Sequence, residues 1–111
     1  GDDRVIQLLV FPDIRVVEDK RGVAQEALAL INEQMWLGHF ELWSNSGTIL
    51  YRHGLLIGGD GALGLDTAET LVETAIDECE RFYPVFQFVL WGGKSPAEAL
   101  AASLIETRGE A

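Results

Sequence analysis

Apolar and polar residues follow different periods along the chain, and each period predicts one kind of element. Residues 5–11 (VIQLLVF) are almost all apolar and are closed by Pro12, which predicts a strand because the run is too short for a helix. At about residues 18–36 apolar side chains recur at helical spacing: Val23, Ala27, Leu30, Ile31 and Met35. Gly22 favours a helix start after it, and Gly38 supplies the stop expected just past the helix end.

A hairpin is predicted next. Residues 39–44 and 48–57 alternate as strands and are joined by Asn45, Ser46 and Gly47. A three-residue loop that ends in glycine favours a type I turn followed by a glycine bulge. In that register residues 44 and 48 pair, and counting back along the strands places His39 directly opposite His53.

The second half of the chain predicts helices. After a loop with four glycines at residues 58–64, Asp66 is the expected N-cap of a helix, and Glu69 completes a capping box with it. An apolar stripe at helical spacing follows: Ala68, Leu71, Val72, Ala75, Ile76, Cys79, Phe82 and Tyr83. Residues 95–98 (SPAE) form the clearest helix start, with serine as the N-cap and proline at the first helical position. This last helix is expected to run to about residue 106.

Residues 85–91 leave two alternatives open. They are β-branched and aromatic and follow Pro84, so propensity favours a buried strand. Three side chains nevertheless continue the preceding helical stripe through a kink: Phe82, Phe86 and Val89. All elements together predict one α+β domain over residues 1–111. Its small antiparallel sheet of about three strands packs against helices in the order β-α-β-β-α-α.

The net charge limits the kinds of partner that the chain is expected to bind. The chain has 111 residues, of which 48% are hydrophobic, and a formal net charge of −10. This charge repels phosphate backbones and anionic membrane surfaces, so we expect neither nucleic acid nor a membrane as a partner. No window approaches the roughly 20 apolar residues of a membrane span. The opening residues have no signal-peptide pattern and the one cysteine forms no internal disulfide, which predicts a cytoplasmic protein.

Two glycine motifs resemble phosphate-binding loops but lack their essential parts. Residues 59–64 (GDGALG) follow a hairpin strand, the expected helix cap at Asp66 lies beyond the third glycine, and no acid follows at the distance that holds a ribose. Residues 93–95 (GKS) resemble the end of a P-loop, yet Phe88 stands where its first glycine is needed. We therefore expect no nucleotide and no other cofactor.

No catalytic constellation is visible. His39 and His53 could share a metal only with a further ligand, for which Glu41 lies on the same face, so stacked or hydrogen-bonded histidines are expected and a metal stays the alternative. Cys79 lies on the apolar stripe, as structural thiols do. No serine sits in a nucleophile elbow and the acids form no diagnostic pair. The sequence predicts a protein that is not an enzyme.

Five segments carry a family resemblance: NE at 32–33, GHFELW at 38–43, YR at 51–52, CERFYP at 79–84 and GKSPAEA at 93–99. With these segments the chain resembles the YbjN domain family of bacterial proteins over nearly its whole length. The resemblance implies a fold similar to the type III secretion chaperones, with the order helix, three strands, helix, two strands and helix, and it favours helix for residues 85–91. In that order residues 5–11 correspond to the third strand. The helix and two strands that precede this strand in the family fold are therefore expected to be missing from this chain.

The resemblance and the missing catalytic groups together predict a non-enzymatic, protein-binding module with a chaperone-like or regulatory role. The alternative is a domain that senses a small molecule or a metal. Because the strand at residues 5–11 has no preceding partner, its bare edge predicts pairing with a second copy, as a homodimer. The candidate partner-binding residues are Trp36, Trp43, Trp91, Leu8 and Leu9. The acids Glu69, Glu73, Asp77 and Glu80 form a ridge that is either solvated or met by a basic partner.

Overall fold

The chain folds into one sheet and a layer of helices. The computed structural model describes residues 4–59 and 61–109, and the side chains of residues 4–59 and 61–104. The strands are β1 (Arg4–Arg15), β2 (His39–Trp43) and β3 (Thr48–Ile57). The helices are α1 (Arg21–Glu33, after a 3-10 turn at Glu18–Lys20), α2 (Leu65–Leu90) and α3 (Pro96–Gly109). The predicted α+β class and element order are confirmed.

The sheet is antiparallel with the spatial order β1-β3-β2, so β3 is its central strand. Strand β1 is longer than predicted, because it continues through Pro12 by way of a bulge. Val10 pairs with Tyr51 and Ile14 pairs with Ile49, which leaves residues 11–13 opposite one residue of β3. Proline has no N–H to donate to a ladder, so it is tolerated at such an irregularity.

Helix α1 ends at Glu33, earlier than its apolar period predicted, and Gly22 lies inside its first turn. Gly38 is therefore not the stop of this helix. It precedes β2 with a φ of 72°, and a Cβ atom at this position would overlap the Tyr51 hydroxyl. The requirement for glycine at position 38 comes from a close approach to the core and from the left-handed backbone.

Helix α2 begins directly after Gly64, which is its N-cap in an extended conformation without a side-chain cap. The predicted capping box of Asp66 and Glu69 is therefore wrong, because Asp66 already lies within the first helical turn. Pro84 is inside the helix, and residues 85–90 are helical. The helix favoured by the family resemblance is confirmed there, and the strand favoured by propensity is wrong.

The capping box at the start of α3 is confirmed. The Glu98 backbone N–H donates to Ser95 Oγ at 3.2 Å, and the Ser95 N–H donates to Glu98 Oε1 at 3.0 Å. All of these contacts lie within four residues of one another, which is why the local sequence was sufficient to locate them.

The hydrophobic core lies between the helices and one face of the sheet. Phe40 is at its centre and makes edge-to-face contacts with Tyr51, Phe82 and Phe86, with ring centroids 5.7, 6.0 and 5.6 Å away. The strand residues that belong to this core share one face of the sheet: Ile14, Phe40, Ile49 and Tyr51. The domain therefore has two layers, and no described helix covers the other face of the sheet.

Candidate functional site

The hairpin register decides which side chains share a face of the sheet. Trp43 pairs with Thr48 and His39 pairs with Arg52. The predicted pairing of residues 44 and 48 is wrong by one position, and with it the opposition of His39 and His53. Since a shift of one residue turns every side chain to the opposite face, the two histidines lie on different faces of the sheet.

Contacts from outside the hairpin hold its turn. The loop has four residues, 44–47, and the Gly47 N–H donates to the Trp43 carbonyl at 2.8 Å. Gly47 has a φ of 71°, and its own carbonyl accepts from the Val16 N–H at 2.8 Å. The Arg21 guanidinium donates to the Ser44 carbonyl at 2.7 Å. The turn therefore depends on the segment that joins β1 to α1.

We call the face of the sheet opposite the helices the outer face. Its side chains come from all three strands: Val5, Gln7, Leu9, Phe11 and Arg15 of β1, His39, Glu41 and Trp43 of β2, and Thr48, Leu50, Arg52 and Leu56 of β3. Exposed apolar groups stand at both of its ends, with Val5 paired to Leu56 at one end and Phe11 beside Trp43 at the other.

A small second cluster of apolar side chains covers part of the outer face. Leu50 is 0% exposed, although it does not belong to the helix-side core. The rings of Phe11 and Trp43 meet at 5.6 Å with an interplanar angle of 74°. Because β1 and β2 flank β3, this ring contact crosses the central strand and covers Leu50. Both rings stay partly exposed, so the cluster is an ordered aromatic surface.

An ion-paired network occupies the centre of the outer face. The Glu41 carboxylate lies 2.6 Å from His39 Nε2 and 2.8 Å from Arg52 Nε, and it accepts from Trp43 Nε1 at 3.1 Å. Arg52 Nη1 also donates to Gln7 Oε1 at 3.1 Å. Burial raises the pKa of Glu41, but hydrogen bonds from His39, Trp43 and Arg52 with the Arg52 charge outweigh it, and the pKa is lowered. The Glu41 carboxylate therefore stays ionised at neutral pH, and it holds the Trp43 indole through its hydrogen bond.

The two edges of the sheet differ in what covers them. At the β2 edge, Asn32 of α1 accepts from the Phe40 N–H at 2.9 Å and donates to the Phe40 carbonyl at 3.1 Å. These side-chain hydrogen bonds take the place of the backbone hydrogen bonds that a neighbouring strand would make at this edge. Among the described residues no strand pairs with the far edge of β1. An edge of this kind can accept a further strand.

Helix α2 presents an exposed apolar side that includes Val72 and Ile76. Further along the helix a cavity of about 290 Å³ lies between α2 and the bulge of β1. Its lining residues are Pro12, Cys79, Glu80, Tyr83 and Pro84. We call the free edge of β1, this side of α2 and the cavity the edge groove.

The candidate partner-binding residues are dispersed over the structure. Trp43 and Leu9 lie on the outer face, whereas Leu8 faces the helices and packs against the core. Trp36 follows α1 with 98% exposure, and Trp91 is exposed at the end of α2, with its ring 6.5 Å from that of Tyr83. Of the five residues, the structure therefore places Trp43 and Leu9 on the same face of the sheet.

Sequence reasoning missed three outer-face residues, Val5, Phe11 and Leu56. A signal was present, because six of the seven residues at 5–11 are apolar, so that apolar residues do not simply alternate with polar ones. A strand with this pattern has apolar side chains on both faces, as strands covered on both sides do.

His53 faces the helices beside a second cavity. Its Nδ1 atom is buried and has no hydrogen-bond partner, and its ring centroid lies 6.5 Å from that of Tyr51. The cavity has a volume of about 390 Å³ and is lined by Leu37, His53, Leu55, Asp66, Thr67, Thr70 and Leu71. In the described part of the chain no three His, Cys, Asp or Glu side chains are grouped to hold a metal ion.

Cys79 is buried within α2, as its place on the apolar stripe predicted. Burial, followed by the nearby charges of Glu78 and Glu80, raises the pKa of its thiol to about 11. The thiol is therefore protonated at neutral pH, whereas a nucleophilic cysteine requires the thiolate.

The two glycine motifs flank helix α2, one before its start and one after its end. Gly64 leads directly into α2, so the expectation that the helix starts beyond the third glycine is wrong. The loop is instead tied to β1, because Arg4 Nη2 donates to the Gly61 carbonyl at 2.5 Å. In the second motif the Lys94 N–H donates to the Phe88 carbonyl at 3.0 Å and helps to close the end of α2.

Within the described residues, no helix is long and apolar enough to cross a membrane.

Comparison with known proteins identifies a family but no individual relative. Neither the curated proteins nor the solved structures contain a significant match to the chain. The family model of YbjN, described as "putative bacterial sensory transduction regulator", matches residues 1–88, which include the whole sheet, α1 and most of α2. The chain therefore belongs to the YbjN family.

Proposed function

We propose that this protein is a non-enzymatic module of the bacterial cytoplasm that binds other proteins in a regulatory or chaperone-like role, and that it forms a homodimer. Strand β1 carries the proposal, because it is apolar on both faces and no strand of the described part of the chain pairs with one of its edges. The family description as a regulator is compatible with this role.

The edge groove suits an extended segment of a partner protein. A segment that pairs with β1 would continue the sheet and place alternate side chains toward α2. There Val72 and Ile76 share a helical stripe with the cavity residues Glu80 and Tyr83. The backbone bonds supply affinity in this mode, and the cavity beside Tyr83 supplies a pocket for a side chain.

Charge makes protein a better partner than nucleic acid or an anionic membrane. Exposed acids follow the outside of α2: Glu69, Glu73, Asp77 and Glu80. These side chains repel phosphate and add to the formal charge of −10, but they attract a basic partner.

Affinity capture with the full chain tests partner binding at the edge groove. We expect proteins retained from a lysate of the source cells by the wild type to be lost with Val72→Lys or Ile76→Lys. They should be retained by Leu65→Lys, an equally charged change at an exposed leucine in the first turn of the same helix. Equal retention by all variants, or no retention above a bare matrix, would contradict the proposal.

The alternative function is sensing of a small molecule, and the cavity beside His53 favours it. Its volume of about 390 Å³ is within the range of ligand sites, and it combines apolar walls with the polar side chains of Thr67 and Thr70. A compound that raises the melting temperature of the wild type, but not that of His53→Phe, would favour this function. Because Phe88 stands where a P-loop needs glycine and no acid follows residues 59–64 at the distance that holds a ribose, we expect flat calorimetric titrations with ATP and NAD.

A further inference from the structure

We propose that the outer face of the sheet is the surface on which a second copy of this chain docks, sheet against sheet. This inference rests on the proposed self-association and assigns it a surface other than the β1 edge, which the sequence alone suggested. The edge groove then stays available for a partner segment while the homodimer persists.

The charge distribution favours a second copy on this face. The regular positions of the outer face carry two arginines, Arg15 and Arg52, and one carboxylate, Glu41. Even with Asp13 of the bulge included, the face is neutral, whereas the whole chain has a formal charge of −10. Helix α2, on the opposite side of the sheet, holds six acids against Arg81: Asp66, Glu69, Glu73, Asp77, Glu78 and Glu80. Two copies therefore repel each other less when their outer faces meet than when their α2 helices meet.

The order of side chains along the face also suits a symmetric contact. An aromatic end at Phe11 and Trp43 and an aliphatic end at Val5 and Leu56 are separated by the network around Arg52. A two-fold axis that lies between the two faces, over this centre and perpendicular to the strands, places the aromatic end of each copy on the aliphatic end of the other. Such an isologous contact buries both ends at once, and stacked sheets lie about 10 Å apart.

The face is ordered before any copy binds. Glu41 holds the Trp43 indole and the Arg52 guanidinium, and Phe11 and Trp43 brace each other over Leu50. Tryptophan and arginine are enriched among the side chains that dominate binding energy. Three strands present a flat area of roughly 500 Å² per copy, at the low end of specific interfaces, which predicts a dimer that dissociates at micromolar concentration.

A matched pair of variants tests this assignment. Leu56 on the outer face is 68% exposed and Leu65 on the helix side is 75% exposed. Leu56→Lys and Leu65→Lys therefore make the same chemical change, at the same charge, on opposite layers. Sedimentation velocity of the full chain over a micromolar concentration series would give the dimer dissociation constant, and thermal unfolding would confirm that both variants are folded.

We expect Leu56→Lys to raise the dissociation constant about tenfold or more, and Leu65→Lys to leave it within about twofold. Val5→Lys, at the cross-strand neighbour of Leu56, should act like Leu56→Lys. A dimer that is indifferent to both outer-face variants would overturn the inference and leave the homodimer on another surface. A dimer weakened by Leu65→Lys would place the contact on the helices and overturn it as well. A monomer mass at every concentration would overturn both this inference and the proposed homodimer, whereas partner capture at the edge groove is tested separately.

Discussion

The two faces of the sheet carry similar side chains but have different surroundings. On the helix side Phe40 packs against three other aromatic rings and is buried. On the outer face Phe11 packs edge-to-face on Trp43, and both rings remain partly exposed. The difference shows that residue type alone does not separate a core from an exposed surface, since the layer above the sheet decides which one the aromatic side chains form.

The largest expected effect is a loss of stability that differs between substitutions on the two faces of the sheet. Phe40→Ala removes a ring from a closed core, so we expect the free energy of unfolding to fall by about 3–5 kcal/mol. Phe11→Ala removes a half-exposed ring, so a loss of about 1 kcal/mol is expected. Urea titrations at low protein concentration measure both losses. Equal losses for the two variants would show that the outer face is as closed as the core.

A smaller effect is expected at the blocked sheet edge. Asn32→Leu removes both side-chain hydrogen bonds to the Phe40 backbone, so the free energy of unfolding should fall by about 1–3 kcal/mol. Gln25→Leu makes a similar change at an exposed position of the same helix and should stay within about 0.5 kcal/mol of the wild type. Should both variants unfold alike, the amide of Asn32 would have no role in closing the β2 edge.

The smallest expected effect is on the pH dependence of stability, to which Glu41 of the outer face contributes. The pKa of Glu41 is lowered from 4.5 in the folded chain, so its carboxylate stabilises the fold above that value. This contribution is lost as the pH falls through the lower folded pKa. We therefore expect the stability difference between wild type and Glu41→Gln, less than about 1 kcal/mol at neutral pH, to shrink below pH 4.5. Glu69→Gln, at an exposed position of α2, is the control, and an unchanged difference down to low pH would contradict the network's role.

Local signals in the sequence located most elements but not their pairing. The start of α3 was predictable because Ser95 and Glu98 bond each other. The hairpin register was not, because the four-residue turn depends on Val16 and Arg21, far from it along the chain. The helix at residues 85–90 prevailed over β propensity because Val85, Phe86, Val89 and Leu90 are buried along α2.

The apolar character of the candidate surface was predictable from the sequence, but the side chains that meet on it were not. Consecutive apolar residues in β1 indicate that both of its faces carry apolar side chains. The meeting of Phe11 with Trp43 requires both the bulge and the hairpin register, and neither follows from local sequence. For the same reason the expected pair of His39 and His53 does not form.

The bulge of β1 also limits how the length of this strand can vary. Val10 pairs with Tyr51 and Ile14 pairs with Ile49. Between these two pairs β1 has three residues and β3 has one, so the bulge adds two residues, an even number, to β1. Side chains after the bulge therefore keep the phase of those before it, and Ile14 returns to the core. Loss of a pair would leave a regular ladder with Ile14 still facing the core. Loss of a single residue would leave two residues opposite Leu50, which keeps Ile14 in place only if both adopt the geometry of a standard bulge. Changes of length at this point of the strand are therefore expected to be tolerated better in pairs than singly.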